Sequence, residues 1–218
     1  MIKEKIIQYI ENNRVSTTEI ADCLGKANGG MDETIQTINR GHFAVGEVKY
    51  LFAVNDSNWF IHKDLEKLEE RGYILFFDAI NIHDRAVVGD LVSKYSLLYK
   101  GGKAIVCAGK MRDAHRLIKE NYPIWCTGVS PIGCFNSEPD ISDCQDTIRE
   151  HYEKYEGSIM VCDDSGVVLI SKDKITEEFY QALVDIETQE DIWYDCVDRR
   201  KWSTFRTVCK KDYKNTKE

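Results

Sequence analysis

The sequence predicts an α/β fold built on a parallel sheet. Three short, continuous apolar runs, 73–79, 103–108 and 123–126, read as strands buried on both faces. Helical stretches at 85–99 and 113–120 separate them. Each ends at a breaker, Gly101-Gly102 for the first and Tyr122-Pro123 for the second. Strand and helix alternating at this pitch build right-handed βαβ units.

The elements follow in order. Ile6, Ile7 and Ile10 recur at helical spacing and predict a first helix over 2–12. Ser16, with Glu19 three residues on, is the capping box of a second helix. Ile20, Cys23 and Leu24 form its apolar face and Gly25 stops it. Residues 41–54 are dense in branched and aromatic side chains and predict strand. A helix over 58–71 is closed by Gly72. The polar, acidic segment 136–156 has no strand period. Residues 158–170 form two strands around an Asp-Ser-Gly corner. From 176 to about 212 the chain reads as one or two helices, with 171–174 as the start. Phe179, Leu183 and Ile186 share one face, and Trp193, Cys196 and Val197 continue it. The last five residues, 214–218, are expected to fray. With no repeat and no linker, a single domain over 1–218 is expected, with N-terminal helices (about 2–25) and a C-terminal helical extension (about 175–212).

Composition excludes several classes. A net charge of -8 argues against a nucleic-acid binder, because phosphate neutralisation needs a basic face. No apolar run approaches about 18 residues, so no membrane span is expected. The amphipathic, charged start lacks the apolar core of a signal peptide, which makes the cytoplasm the default location. None of the eight cysteines forms a Cys-x-x-Cys pair, so they read as buried thiols rather than a zinc or disulfide framework.

The chemistry concentrates at Arg112-Asp113, directly after a strand, and at Asp90, which opens the helix before that strand. A fixed cation beside a carboxylate offers a clamp for an oxyanion and a ligand for a hard metal, a pairing that suits a 2-oxo acid. Alone, an Arg-Asp dipeptide is more often a surface ion pair; its context gives it weight. His62, His83, His115 and His151 lie among charged residues and read as solvated or structural, with His115, two residues past Asp113, the best exception. Asp163-Asp164-Ser-Gly166 reads as a turn before it reads as a metal loop. Trp193, Trp202 and Phe205 read as helix packing. Gly101-Gly102 and Gly109 do not make a dinucleotide or methyl-donor loop.

Four segments in order resemble the RraA-like family, which holds 4-hydroxy-4-methyl-2-oxoglutarate aldolases and the ribonuclease E regulator RraA. They are Ser16-Thr-Thr-Glu-Ile-Ala-Asp-Cys-Leu-Gly25; Gly89-Asp90 through Arg112-Asp113; Pro123-Ile-Trp-Cys-Thr-Gly-Val-Ser-Pro-Ile-Gly133; and Gly157-Ser-Ile-Met-Val-Cys-Asp-Asp-Ser-Gly-Val-Val-Leu-Ile. The resemblance implies a swivelling β/β/α layered sandwich, assembled as a homotrimer or hexamer with sites near subunit interfaces. It implies that Asp113 holds a divalent cation, Mg²⁺ or else Mn²⁺ or another, and that Asp90 reaches it through water. Arg112 would contact a small 2-oxo acid, and the turn of Gly89, Leu91 and Val92 would bind the substrate carboxylate through backbone amides. The implied activity is a metal-dependent lyase that forms a pyruvate enolate by retro-aldol cleavage, with oxaloacetate decarboxylation beside it. A non-catalytic regulator binding a partner such as a ribonuclease is the alternative, and an enzyme recruited to a sugar or secondary-metabolite pathway is another. Three features depart from the family pattern. Twenty-one residues separate Asp90 from Arg112, one more than usual. Arg116 stands where the aldolases often carry an acid. Segment 136–156 lacks the glycine-rich approach of many relatives.

Overall fold

A computed structural model describes residues 1–69 and 71–215. Its eight strands are β1 (Gln36–Thr37), β2 (Ala44–Val54), β3 (Ile74–Ile80), β4 (Ala86–Val88), β5 (Ala104–Met111), β6 (Ile124–Val129), β7 (Ile159–Asp163) and β8 (Gly166–Ile170). They form one sheet in the order β1-β6-β5-β3-β2-β7-β8, with β4 paired to β5 off that path. The predicted parallel half is present: β2, β3, β5 and β6 run parallel, and β4 runs parallel to β5. The ends are antiparallel, β1 on β6 and β8 on β7, with β7 on the first residues of β2.

The sheet curls until its ends nearly meet. The Trp125 indole N–H of β6 donates to the Asp163 carbonyl at 2.7 Å, and the Leu169 amide of β8 donates to Asn28 O at 3.1 Å. Alternation along the strands explains the layers. Tyr50, Phe76, Val106 and Trp125 face inward and meet Met160, Cys162 and Leu169 of the antiparallel half. Their neighbours Leu51, Phe77, Ile105 and Ile124 face outward. There they meet Ile61 and Leu65 of α3 (Trp59–Lys67) and Leu117 of α5 (Ala114–Lys119). Both faces are therefore apolar, which is why these strands read as continuous runs. A third cluster joins β7 and β8 to α1 (Ile2–Asn13), α2 (Thr17–Cys23) and α7 (Glu177–Tyr194) through Ile6, Ile20, Val168, Ile170 and Leu183. This is the expected mixed α/β layered sandwich.

The second helix is capped as predicted. The Glu19 amide donates to Ser16 Oγ at 3.2 Å, the Ser16 amide donates to Glu19 Oε2 at 2.7 Å, and Gly25 leaves the helix at φ +76°. Two predicted helices need correction, and one helix is added. Helix 58–71 is the shorter Trp59–Lys67. Residues 86–88, expected to be helical, are strand β4, because the branched Val87 and Val88 are wholly buried beside β5. The helix there is α4 (Asp90–Lys94), which widens into a π-helical turn, Tyr95–Tyr99. Segment 136–156 contains α6 (Gln145–Tyr155), whose single apolar edge hid its period. After α7 the chain makes π-helical turns at Asp195–Arg199 and Phe205–Cys209, the two-helix version of the expectation. Of the five terminal residues expected to fray, 216–218 lie outside the described residues. Among the described residues no helix is long and apolar enough to cross a membrane.

Asp163 is a structural corner, as its turn reading requires. Its carboxylate accepts from the Thr17 amide at 2.8 Å, the Thr17 hydroxyl at 2.7 Å and the Ser165 amide at 2.7 Å, fastening the start of α2 to the β7–β8 turn. Asp163→Ala leaves the buried Thr17 donors without partners and is expected to cost about 2 kcal/mol, read from urea denaturation. An unchanged midpoint would show that water replaces these bonds.

Candidate functional site

Two parallel turns build the site. β4 ends at Gly89 and turns into α4; β5 ends at Met111 and turns through Arg112 and Asp113 into α5. The Arg112 amide donates to Val88 O at 3.0 Å, which sets the two turns side by side. Asp113 takes the left-handed conformation, φ 58°, as it caps α5, and so swings its carboxylate back toward β4.

Gly89 makes that approach possible. A Cβ on residue 89 would lie 2.4 Å from Asp113 Oδ2 and 2.6 Å from Arg112 Cγ. The empty notch lets the Asp90 amide donate to Asp113 Oδ2 at 3.3 Å. Gly133 does the same from the other side, since a Cβ there would lie 2.5 Å from Arg112 Nη1. Two glycines thus flank the arginine.

Charge alternates across the turns. Arg112 Nε lies 3.6 Å from Asp113 Oδ2, and Arg116 Nη1 lies 3.5 Å from Asp90 Oδ2. Both arginines are half or more exposed, and the Asp90 side chain is largely covered, at 19%. Arg116, the residue of reversed charge, therefore faces a carboxylate of the site rather than solvent alone.

A cleft of 460 Å³ opens at this point. Arg112, Asp113, Gly89, Leu91 and Val92 line one side, so five of the six sequence-predicted residues come together. The sixth, Asp90, is not part of the lining and is turned to Arg116. The far lining comprises Asn58, Trp59 and His62 from the start of α3, with Cys134 and Asn136; sequence reasoning missed all but His62, which it read as solvated or structural. No spacing signal marks these residues, because they come from a helix start and a loop about 75 positions apart. The Asn58 amide nitrogen donates to Val87 O at 2.8 Å and its oxygen accepts from Asn136 Nδ2 at 2.8 Å. Desolvation lowers the His62 pKa from its ordinary value.

The remaining candidates have plain roles. His115 lines an adjoining depression with Val129 and Ser130, and Arg112 and Asp113 line that depression as well as the cleft. His83 and His151 sit 3.1 and 2.7 Å from Asp56 and Asp78, both in structural contacts. Burial pushes the Cys134 thiol up to about 11, with the Asp56 charge adding, so it holds no thiolate near neutral pH.

Among the described residues no group of three or more His, Cys, Asp or Glu could hold a metal. Asp113 offers hard carboxylate oxygens to the cleft, with Asp90 covered behind it and paired with Arg116, which fits a cation that keeps several of its waters, such as Mg²⁺.

The RraA-like family model, described as Aldolase/RraA, matches residues 17–169. The chain belongs to this family. An uncharacterised protein from Pseudomonas syringae pv. tomato has a similar solved structure, at 21% identity and TM-score 0.68, covering 90% of this chain and 89% of that one. Streptomyces coelicolor RraAS2, an unusual member of the RNase ES inhibitor RraA family, matches at 25% identity and TM-score 0.63, covering 86% and 95%. The RNA-processing inhibitor RraA from Thermus thermophilis matches at 19% and TM-score 0.54, covering 71% and 91%. A search of curated proteins finds no match.

Within this RraA-like fold, Gly89 carries a steric demand only, since its φ of -140° suits any residue. Gly89→Ala is expected to separate the two turns and cost about 1–3 kcal/mol, read from thermal or urea unfolding. Gly72→Ala, where a Cβ meets nothing but φ is +90°, is the comparison for purely conformational strain.

Proposed function

We propose that this protein is a divalent-metal-dependent lyase that forms a pyruvate enolate from a small 2-oxo acid. The observation that carries the reading is the glycine-notched pair of turns. They bring a cation, a carboxylate and a helix start to one side of a cleft large enough for such a substrate.

Each residue has a role in this reading. Asp113, with Asp90 through water, would hold the cation, whose chemistry is to polarise the keto oxygen. Arg112 balances the negative charge that grows on the 2-oxo acid as the bond to its third carbon breaks. The Leu91 and Val92 amides precede the first helical bond, Ser93 N–H to Gly89 O, and are free of the helix's own ladder. They suit the substrate carboxylate. Retro-aldol cleavage of a 4-hydroxy-2-oxo acid and decarboxylation of oxaloacetate lead to the same enolate, so both activities are expected.

A homotrimer or hexamer belongs to the same reading. Leu91, Tyr95, Leu98 and Tyr99 fall at helical spacing beside the cleft and are exposed, Leu91 at 80% and Tyr99 at 62%. A stripe of this kind is a natural subunit face. It also favours the second reading, a regulator that binds a partner protein, since one structural neighbour is described as an RNA-processing inhibitor and another as an unusual member of the RNase ES inhibitor RraA family. A third reading, recruitment to a sugar or secondary-metabolite pathway, draws on α6 in the departing segment.

Pyruvate release from 4-hydroxy-4-methyl-2-oxoglutarate and oxaloacetate, with and without Mg²⁺, tests the lyase. Asp113→Ala is expected to lose at least about 100-fold in kcat/KM while remaining folded. Full metal-dependent turnover in that variant would refute the assignment. Arg116→Ala uncovers Asp90 and is expected to tighten Mn²⁺ binding by about three- to tenfold in calorimetry, as loss of one competing cation requires. Weaker binding would mean that Arg116 supports the site.

A further inference from the structure

The far lining of the cleft holds a chain of hydrogen bonds that orients two amides toward His62. The Val87 carbonyl can only accept, so the Asn58 side chain must turn its NH₂ to it, at 2.8 Å. The Asn58 oxygen then faces Asn136, which must offer its own NH₂, at 2.8 Å. That same nitrogen lies 3.5 Å from His62 Nε2. An amide N–H can only donate, so this long contact is favourable when Nε2 carries the lone pair and Nδ1 the hydrogen. The backbone of β4, the strand that leads into Gly89, thus orients two amides beside an imidazole in the same cleft.

His62 is the one group on this side suited to take a proton near neutral pH. Asn58 and Asn136 are amides, Trp59 is a donor only, and the Cys134 thiol stays protonated. Desolvation lowers the His62 pKa, which favours the neutral ring. Its contact with Asn136 is long, so a substrate hydroxyl can take its place while Asn136 keeps Asn58.

We propose that His62 is the general base for carbon–carbon bond cleavage, and that Trp59, His62 and Asn136 form the subsite for the carbonyl fragment. This rests on the lyase reading. His62 Nε2 takes the proton of the C4 hydroxyl, and the C4–O bond becomes a carbonyl. The C3–C4 bond breaks and its electron pair passes into the enolate of the 2-oxo acid. The enolate carbon then takes a proton from water, and His62 returns its own to solvent. The fragment released is a small ketone, aldehyde or 2-oxo acid. Oxaloacetate has a carboxylate at C4 and no hydroxyl proton, so its decarboxylation needs no such base.

His62→Gln separates the two reactions. The residue is on the exposed side of α3, so the variant is expected to fold. Cleavage of 4-hydroxy-4-methyl-2-oxoglutarate is expected to fall by about 100-fold or more in kcat, with oxaloacetate decarboxylation within about twofold of the parent. Equal losses in both reactions, or unchanged cleavage, would overturn the role of His62 and leave the lyase standing. A parent protein that decarboxylates but cleaves no hydroxy-oxo acid would also overturn it. A parent inactive in both, with Mg²⁺ bound, would remove the lyase reading and this role with it.

Discussion

The site depends on one steric allowance: the β4–α4 turn lies against the β5–α5 turn because residue 89 has no side chain. Parallel pairing of β4 with β5 brings the turns together, and the missing Cβ lets Asp113 and Arg112 cross the gap. Without that approach the cation and carboxylate of one turn would not meet the helix start of the other. Gly133 completes the arrangement by leaving room for the guanidinium. Chemistry placed at the ends of parallel strands is a general property of α/β sheets; here two glycines turn that placement into a fixed pair of charges.

The curled sheet supplies the rigidity behind this. Strands β3 and β5 are buried on both faces, so the turns rise from a core that cannot shift without loss of packing. α6 adds a second polar anchor. His151 on that helix meets buried Asp78, which also accepts from the Tyr50 hydroxyl at 2.8 Å. A polar helix is thereby fixed to the strand layer.

Much of the fold was legible in residues whose signal is local. Ser16 with Glu19, the runs at 73–79 and 103–108, and the Asp163–Gly166 corner each state their structure within a few positions. β4 was misread because Ala86-Val87-Val88 directly precedes a helix, and burial rather than period decided its state. α6 was missed because Ile148, Tyr152 and Tyr155 make too narrow an edge to show a helical repeat among so many charges. On the site, Arg112, Asp113 and Asp90 stood out as chemistry beside a strand, whereas Asn58, His62 and Asn136 are joined only by tertiary structure. His115, two residues past Asp113, lines a neighbouring depression that shares Arg112 and Asp113 with the cleft. That Arg116 faces Asp90 could not be read from spacing, since it depends on how α4 and α5 pack.

The central claim is that these turns stabilise the enolate of a 2-oxo acid, and hydrogen exchange at the methyl group of pyruvate tests it without a guess at the natural substrate. Pyruvate in D₂O with Mg²⁺ and the protein, followed by proton NMR, is predicted to lose its methyl signal in a metal-dependent manner. A methyl signal that persists with metal and pyruvate both bound would contradict the account and turn attention to the exposed stripe beside the cleft as a partner-binding face.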